Sequence, residues 1–101
     1  MLIEIEFKKI VLSNGLEVVL HQDSSLPLVA VNVWYHVGSK NERVGRTGFA
    51  HLFEHMMFEG SKNHNASHFE PLQKIGASLN GSTNSDATNY WEDVPANYLE
   101  L

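Results

Sequence analysis

The chain contains no cysteine. Neither a disulfide framework nor a thiolate metal site is therefore open to it, and any metal must be held by histidine or carboxylate. Clusters of positive charge are missing too: 7 Lys and Arg stand against 12 Asp and Glu, for a net charge of −5, with no basic run. That balance excludes the electrostatic footprint of a nucleic-acid binder. No stretch approaches the ~20 apolar residues of a membrane span. The opening Met1-Leu2-Ile3-Glu4-Ile5-Glu6 has acidic residues where a secretory leader needs a basic start and an unbroken apolar run. The compartment stays open: cytoplasmic if Met1 is the native start, periplasmic or exported if a leader has been removed. No internal repeat and no low-complexity segment is present.

What the chain does have is 43% hydrophobic residues in 101, enough for one globular core but small for an enzyme with a cleft. Apolar and polar residues alternate through Ile3, Ile5, Phe7, Ile10 and Leu12; after Asn14-Gly15 the period of two resumes at Leu16, Val18 and Leu20, which predicts a hairpin. Leu28 to Val37, rich in β-branched and aromatic residues on both faces, is expected to be a central strand covered on both sides. Ser67-His68-Phe69-Glu70 has the form of a capping box, so a short helix from about Ser67 to Ile75 is predicted, with Pro71 near its first turn. Strands at Ala77 to Thr83 and Ala87 to Glu92 flank a turn at Asn84-Ser85-Asp86, and Asp93-Val94-Pro95-Ala96 reads as the start of a third helix. The order implies an α+β fold, a largely antiparallel sheet with helices packed on one face.

Between the third strand and the capping segment lies Gly48-Phe49-Ala50-His51-Leu52-Phe53-Glu54-His55-Met56-Met57-Phe58. As a helix it puts His51 and His55 one turn apart on one face, with Glu54 beside them and apolar residues around the rest. Imidazoles at i and i+4 converge on one zinc ion, and Glu54 then sits where a general base for a zinc-activated water belongs. The order H-x-x-E-H is the inverzincin signature. On this helix alone, adventitious metal binding and histidines satisfied structurally inside a core remain open beside the zinc-peptidase reading.

Two flanking motifs, Gly38-Ser39-Lys40-Asn41-Glu42 upstream and Asn80-Gly81-Ser82-Thr83-Asn84-Ser85-Asp86-Ala87-Thr88-Asn89-Tyr90 downstream, add to the helix. With all three in order, the chain resembles the insulinase/pitrilysin family of zinc metallopeptidases over nearly its whole length. The resemblance implies that His51 and His55 ligate a single zinc ion and that Glu54 is the general base. It implies that Leu79, Asn80, Gly81, Ser82 and Thr83 form the edge strand that takes a peptide or unfolded polypeptide as an added strand, Gly81 standing where the family commonly has alanine. The family's third ligand is a glutamate on a later helix, so here it is expected beyond residue 101. Residues 1–101 are then an incomplete N-terminal part of one larger peptidase domain, inactive alone, and a second homologous domain or subunit is an implied partner. The alternative within the same family is a non-catalytic binding or scaffold homologue.

The remaining polar residues carry plainer expectations. Glu59 reads as solvated, and His64 and His68 as surface residues rather than ligands. Asp86 suits stabilisation of its own turn. His21 and His36 read as structural strand residues, and Trp34 and Trp91 as packing residues.

Overall fold

A computed structural model of the chain describes residues 2–101. Strands β1 (Lys8–Val11) and β2 (Glu17–Leu20) form the expected antiparallel hairpin, with Ile10 opposite Val18. Its turn is closed by Gly15 N–H to the Leu12 carbonyl at 2.9 Å and by Leu16 N–H to Asn14 Oδ1 at 3.0 Å. His21 Nδ1 lies 2.6 Å from the Glu6 carbonyl, which holds the N-terminal segment to the end of β2.

The second sheet contains β3 (Leu28–Tyr35), β4 (Ser78–Thr83) and β5 (Thr88–Pro95) in the order β3-β5-β4, all antiparallel. Helix α1 (Phe49–Met57) packs on β4 and β5, and α2 (Phe69–Lys74) on β4. One face of the sheet carries Val29, Val31, Val33 and Tyr35 opposite Val94, Glu92, Tyr90 and Thr88, with Leu79, Gly81 and Thr83 beyond. This face meets the helices: the Phe58 ring lies 5.8 Å from Tyr90 and 4.9 Å from Phe69. Val94 and Ala87 are each only 3% exposed and mark the deepest apolar positions. The architecture is the α+β arrangement of antiparallel strands with helices on one face.

Several local expectations are corrected. β3 is an edge strand of this sheet and β5 is its centre, because β5 pairs on both sides. The apolar residues on the two faces of β3, only Val29 and Val31 of them half-buried, therefore report surface left largely open, not a central place in the sheet. The Asp93-Val94-Pro95 segment is the end of β5, paired to Leu28, Val29 and Ala30, and only a single 3-10 turn (Ala96–Tyr98) follows. α2 is shorter than expected, and the capping box does not form: Ser67 Oγ accepts the Phe69 N–H at 3.2 Å while Glu70 reaches forward to Lys74 at 2.8 Å. An i,i+4 ion pair along the helix has taken the carboxylate that the box required. Trp34 and Trp91 lie on the sheet face away from the helices, 55% and 36% exposed, so they do not pack in the core of this chain.

Uncovered apolar surface is the dominant physical feature. The surface area is 8673 Å², against about 5,800 Å² for a folded monomer of this length. The radius of gyration is 16.1 Å, against about 13 Å for a compact domain of about 100 residues. Phe49, Leu52, Phe53, Met56 and Met57 of α1 are all exposed, as are Leu28, Val33, Trp34 and Tyr35 of β3. These residues have the character of a core with one wall open.

The best-fastened region is the meeting of the β3–α1 connection with the β4–β5 turn. Ser39 and Lys40 give their backbone N–H groups to the carbonyls of Asn84 (3.1 Å) and Ser85 (3.0 Å), and Thr88 Oγ1 donates to the Val37 carbonyl at 2.9 Å. Lys40 Nζ meets Asp86 Oδ1 at 2.7 Å. The turn itself is held by Asn84, whose Oδ1 accepts the N–H groups of Asp86 (2.8 Å) and Ala87 (2.9 Å). Asp86 is thus not the residue that stabilises its own turn; its carboxylate is spent on Lys40 instead.

Two outcomes are expected of this clamp. A Cβ at Gly38 would stand 2.3 Å from the Asn84 carbonyl oxygen, a backbone atom that cannot swing aside. Gly38→Ala should therefore lower stability by about 1–3 kcal/mol, read as a fall in the urea midpoint; an unchanged midpoint would mean the two loops do not touch. The hydrogen bond from Lys40, and then its charge, hold the Asp86 carboxyl below its ordinary 3.8. A folded-state value below the unfolded one stabilises above the ordinary value and ceases to do so as pH falls through the lowered one. The stability difference between the protein and its Asp86→Asn variant should accordingly be constant near neutrality and close below pH 3.8. With both side chains more than half exposed, added salt should shrink it; a difference that persists in acid would exclude the ion pair as its source.

Candidate metal centre and substrate edge

Helix α1 starts after Gly48, which adopts φ of 88°, a left-handed conformation that favours glycine. Having no side chain, Gly48 cannot cap the helix. The Phe49 N–H instead donates to Glu42 Oε2 at 3.1 Å, seven residues upstream, and the first intrahelical bond runs from Leu52 N–H to the Gly48 carbonyl at 2.9 Å. The turn between them is tightened by Arg46 N–H to the Arg43 carbonyl at 2.9 Å. Glu42 lines a cleft of about 380 Å³ with Ala50, Phe53, Thr88 and Tyr90.

Within the helix, His51 and His55 are exposed and their Nε2 atoms lie 3.0 Å apart, with ring centroids at 4.7 Å. Two nitrogens on a tetrahedral zinc at about 2.0–2.1 Å are separated by about 3.3 Å, so a few tenths of an ångström of side-chain movement fits the pair to the ion. Glu54, on the neighbouring row of the helix and turned toward the sheet, is only 9% exposed. No cation among the described residues pairs with it. Burial, and after it the charge of Glu54, raises the Tyr90 phenol above its ordinary 10.0, which places the carboxylate in the electrostatic reach of β5. Two exposed imidazole nitrogens this close are a donor pair that suits a divalent cation. Among the described residues, no group of three or more His, Asp or Glu side chains is gathered closely enough to hold a metal. The expected ligands His51 and His55 are thus brought together as a pair, with Glu54 on the neighbouring row of the helix.

The expected edge strand is β4, at the end of the order β3-β5-β4. Its hydrogen-bonding parity follows from the turn. Asn84 N–H bonds the Ala87 carbonyl at 3.0 Å, so positions 84 and 87 form a bonded pair, and bonded and non-bonded pairs then alternate along the register. Asn80 and Ser82 spend their backbone groups on β5, while Leu79, Gly81 and Thr83 turn theirs to the open edge. The Gly81 N–H is met there by Asn80 Oδ1 at 2.8 Å. Of the five residues expected to pair with substrate, three therefore present backbone groups to the edge and two do not. Position 81 also touches the helix: a Cβ there would be 3.1 Å from Phe58 Cζ and 3.1 Å from Tyr90 Cδ1. Phe58 is four residues beyond Glu54, about 6 Å along the axis, so the middle of the edge strand lies within roughly one helical turn of the carboxylate.

His64 and His68 stack on each other, with centroids 5.5 Å apart and planes at 8°, in a cleft with Pro71, Leu72 and Glu92 rather than at the His51 and His55 pair. Glu59 is exposed, and His36 lies edge-on to Trp34 at 6.3 Å. Glu42 was not evident as a functional residue in the sequence. The signal that reveals it is negative: a helix led in by glycine leaves its first N–H groups without a local acceptor, so a carboxylate in the preceding loop is drawn to them.

A family model described as Insulinase (Peptidase family M16) matches residues 17–101. The zinc protease PqqE of Helicobacter pylori is 38% identical over 86 residues, covering 83% of this chain and 19% of that protein. Among solved structures, a protease from Helicobacter pylori superposes with a TM-score of 0.87 at 34% identity, over 96% of this chain and 24% of its own. Pitrilysin superposes with a TM-score of 0.85 at 30% identity, over 94% of this chain and 10% of its own. The chain thus spans a quarter or less of the length of these relatives.

Proposed function

This chain belongs to the insulinase family of peptidases, and on that premise we propose that the protein it is part of is a zinc-dependent endopeptidase whose metal is held by His51 and His55 and whose general base is Glu54. The observation that carries the reading is the 3.0 Å approach of two exposed imidazole nitrogens beside a carboxylate that is only 9% exposed. Zinc, when bound, supplies Lewis acidity for the scissile carbonyl and for the attacking water. Each residue of the chain then has a task set by its position. The imidazoles fix where the electrophilic centre lies, and Glu54, one residue before His55, accepts the proton of the attacking water. Its burial limits competition from bulk solvent.

β4 orients the substrate. An extended peptide added to the open edge pairs with the N–H and C=O groups of Leu79, Gly81 and Thr83, which reads backbone rather than side chains and so suits unfolded polypeptide. The Asn80 amide that now meets the Gly81 N–H gives way to a substrate carbonyl. The third zinc ligand comes from sequence beyond Leu101, and the uncovered apolar faces of α1 and β3 are where the remainder of the peptidase domain packs. A second homologous domain or subunit closes the site.

Two results are expected. In the full-length protein, Glu54→Gln should retain one zinc per site, measured by metal analysis, while peptide turnover falls about 10²–10⁴-fold; unchanged turnover would remove Glu54 from the chemistry. Wild-type protein without zinc or turnover would favour the non-catalytic scaffold instead. Residues 1–101 alone should show no chelator-sensitive cleavage, because two ligands fall short of the three that a catalytic zinc needs; robust cleavage would mean the ligand set closes within this chain.

A further inference from the structure

We propose that Glu42 is a positioning residue: by accepting the Phe49 N–H it sets the start of the metal-bearing helix against the hairpin that carries the substrate edge. The inference rests on the zinc-peptidase reading for its kinetic consequence but not for its structural one. Three observations converge on it. First, α1 has no cap of its own, since Gly48 has no side chain and adopts a left-handed φ. Second, Glu42 Oε2 lies 3.1 Å from the orphan donor at Phe49, where a carboxylate is favoured by the positive end of the helix dipole. Third, the loop that holds Glu42 is not free to follow the helix. Gly38, Ser39 and Lys40 are seated on the Asn84-Ser85-Asp86 turn through two backbone hydrogen bonds and one ion pair.

These contacts form a continuous path from β4 through the 84–86 turn and the 38–42 loop to the first turn of α1. About one and a half turns of helix then carry the placement from Phe49 to Glu54 and His55. Position 81 against Phe58 fixes the far end of α1 on the same strand. The helix is thereby held to one hairpin at both ends, by Glu42 at the start and by Phe58 at the close. Losing the first anchor leaves the helix attached but free to pivot about the second. The proton-accepting oxygen of Glu54 would then lose its fixed place relative to a peptide lying along β4, whereas the edge itself, and so substrate pairing, would be intact.

The test compares Glu42→Ala with Glu42→Gln in the full-length protein. Gln keeps an acceptor oxygen at the same reach, and Ala removes it. In the alanine variant, amide exchange at Phe49 should accelerate at least fivefold and kcat should fall about tenfold, with KM within twofold of wild type. Gln should restore both exchange protection and kcat to within threefold. Wild-type kcat and exchange in Glu42→Ala would overturn the proposal, as would a kcat loss in Glu42→Gln as large as in Glu42→Ala. If the alanine variant does not fold, Glu42→Gln decides alone: retained protection and kcat support the proposal, and a tenfold loss of kcat overturns it. A wild-type protein without zinc or turnover would defeat the peptidase reading while leaving the exchange comparison to decide the capping role.

Discussion

Two backbone hydrogen bonds, from Ser39 and Lys40 to the carbonyls of Asn84 and Ser85, fix the relation between every other part of this site. They join a loop that precedes α1 to a turn that follows it by some 27 residues of intervening chain. Without them, the helix with its imidazoles and the hairpin with its open edge would be related only through the Thr88 to Val37 hydrogen bond, the exposed Lys40–Asp86 pair and their packing. That packing is thin here, because most apolar residues of α1 are exposed. Gly38 is what permits the bonds: its Cα approaches the Asn84 and Ser85 carbonyls so closely that no side chain fits. The clamp is built from backbone, with Lys40 and Asp86 added at the surface, where an ion pair contributes little on its own.

The division of labour on α1 follows from helical geometry. At about 100° per residue, Ala50, Glu54 and Phe58 form the row that meets the sheet, and His51 and His55 form the neighbouring row that opens outward. One carboxylate is thus buried while two imidazoles stay accessible to an ion from solution. Burying an unpaired carboxylate costs stability, and a fold with so little core has little to spare.

The sequence made the site legible because its features are local. Spacings of three and four on a helix, and a period of two on a hairpin, translate directly into shared faces. The family resemblance adds roles that spacing does not contain. What was not legible depends on contacts distant in the chain. The place of β3 at an edge is decided by β5, some 60 residues later. Asp86 looked like a turn residue because its partner, Lys40, is 46 residues away, and Glu42 looked like one polar loop residue among five. The Ser67 to Glu70 box failed for a different reason, since a local rule met a competing local rule in the Glu70 to Lys74 pair. Trp34 and Trp91 were read as packing residues from their aromatic character, but burial requires a covering element, and none of the described residues supplies one on that face.

The parity of β4 links the two halves of the site more tightly than either motif does alone. The residues whose backbone groups face the open edge, Leu79, Gly81 and Thr83, are also those whose side chains point to the helices, so the strand is read on two sides at the same positions. At position 81 the requirements compete. Contact with Phe58 and Tyr90 at 3.1 Å demands a small residue, whereas a strand at an edge is stiffened by having a side chain. Alanine, common here in the family, satisfies both if the Phe58 ring yields a few tenths of an ångström, as the far end of a half-buried side chain does. Glycine lets the helix close on the strand without that displacement and leaves the edge more pliable. The same contact that limits side-chain size at position 81 therefore sets how near Glu54 is carried to the open edge strand.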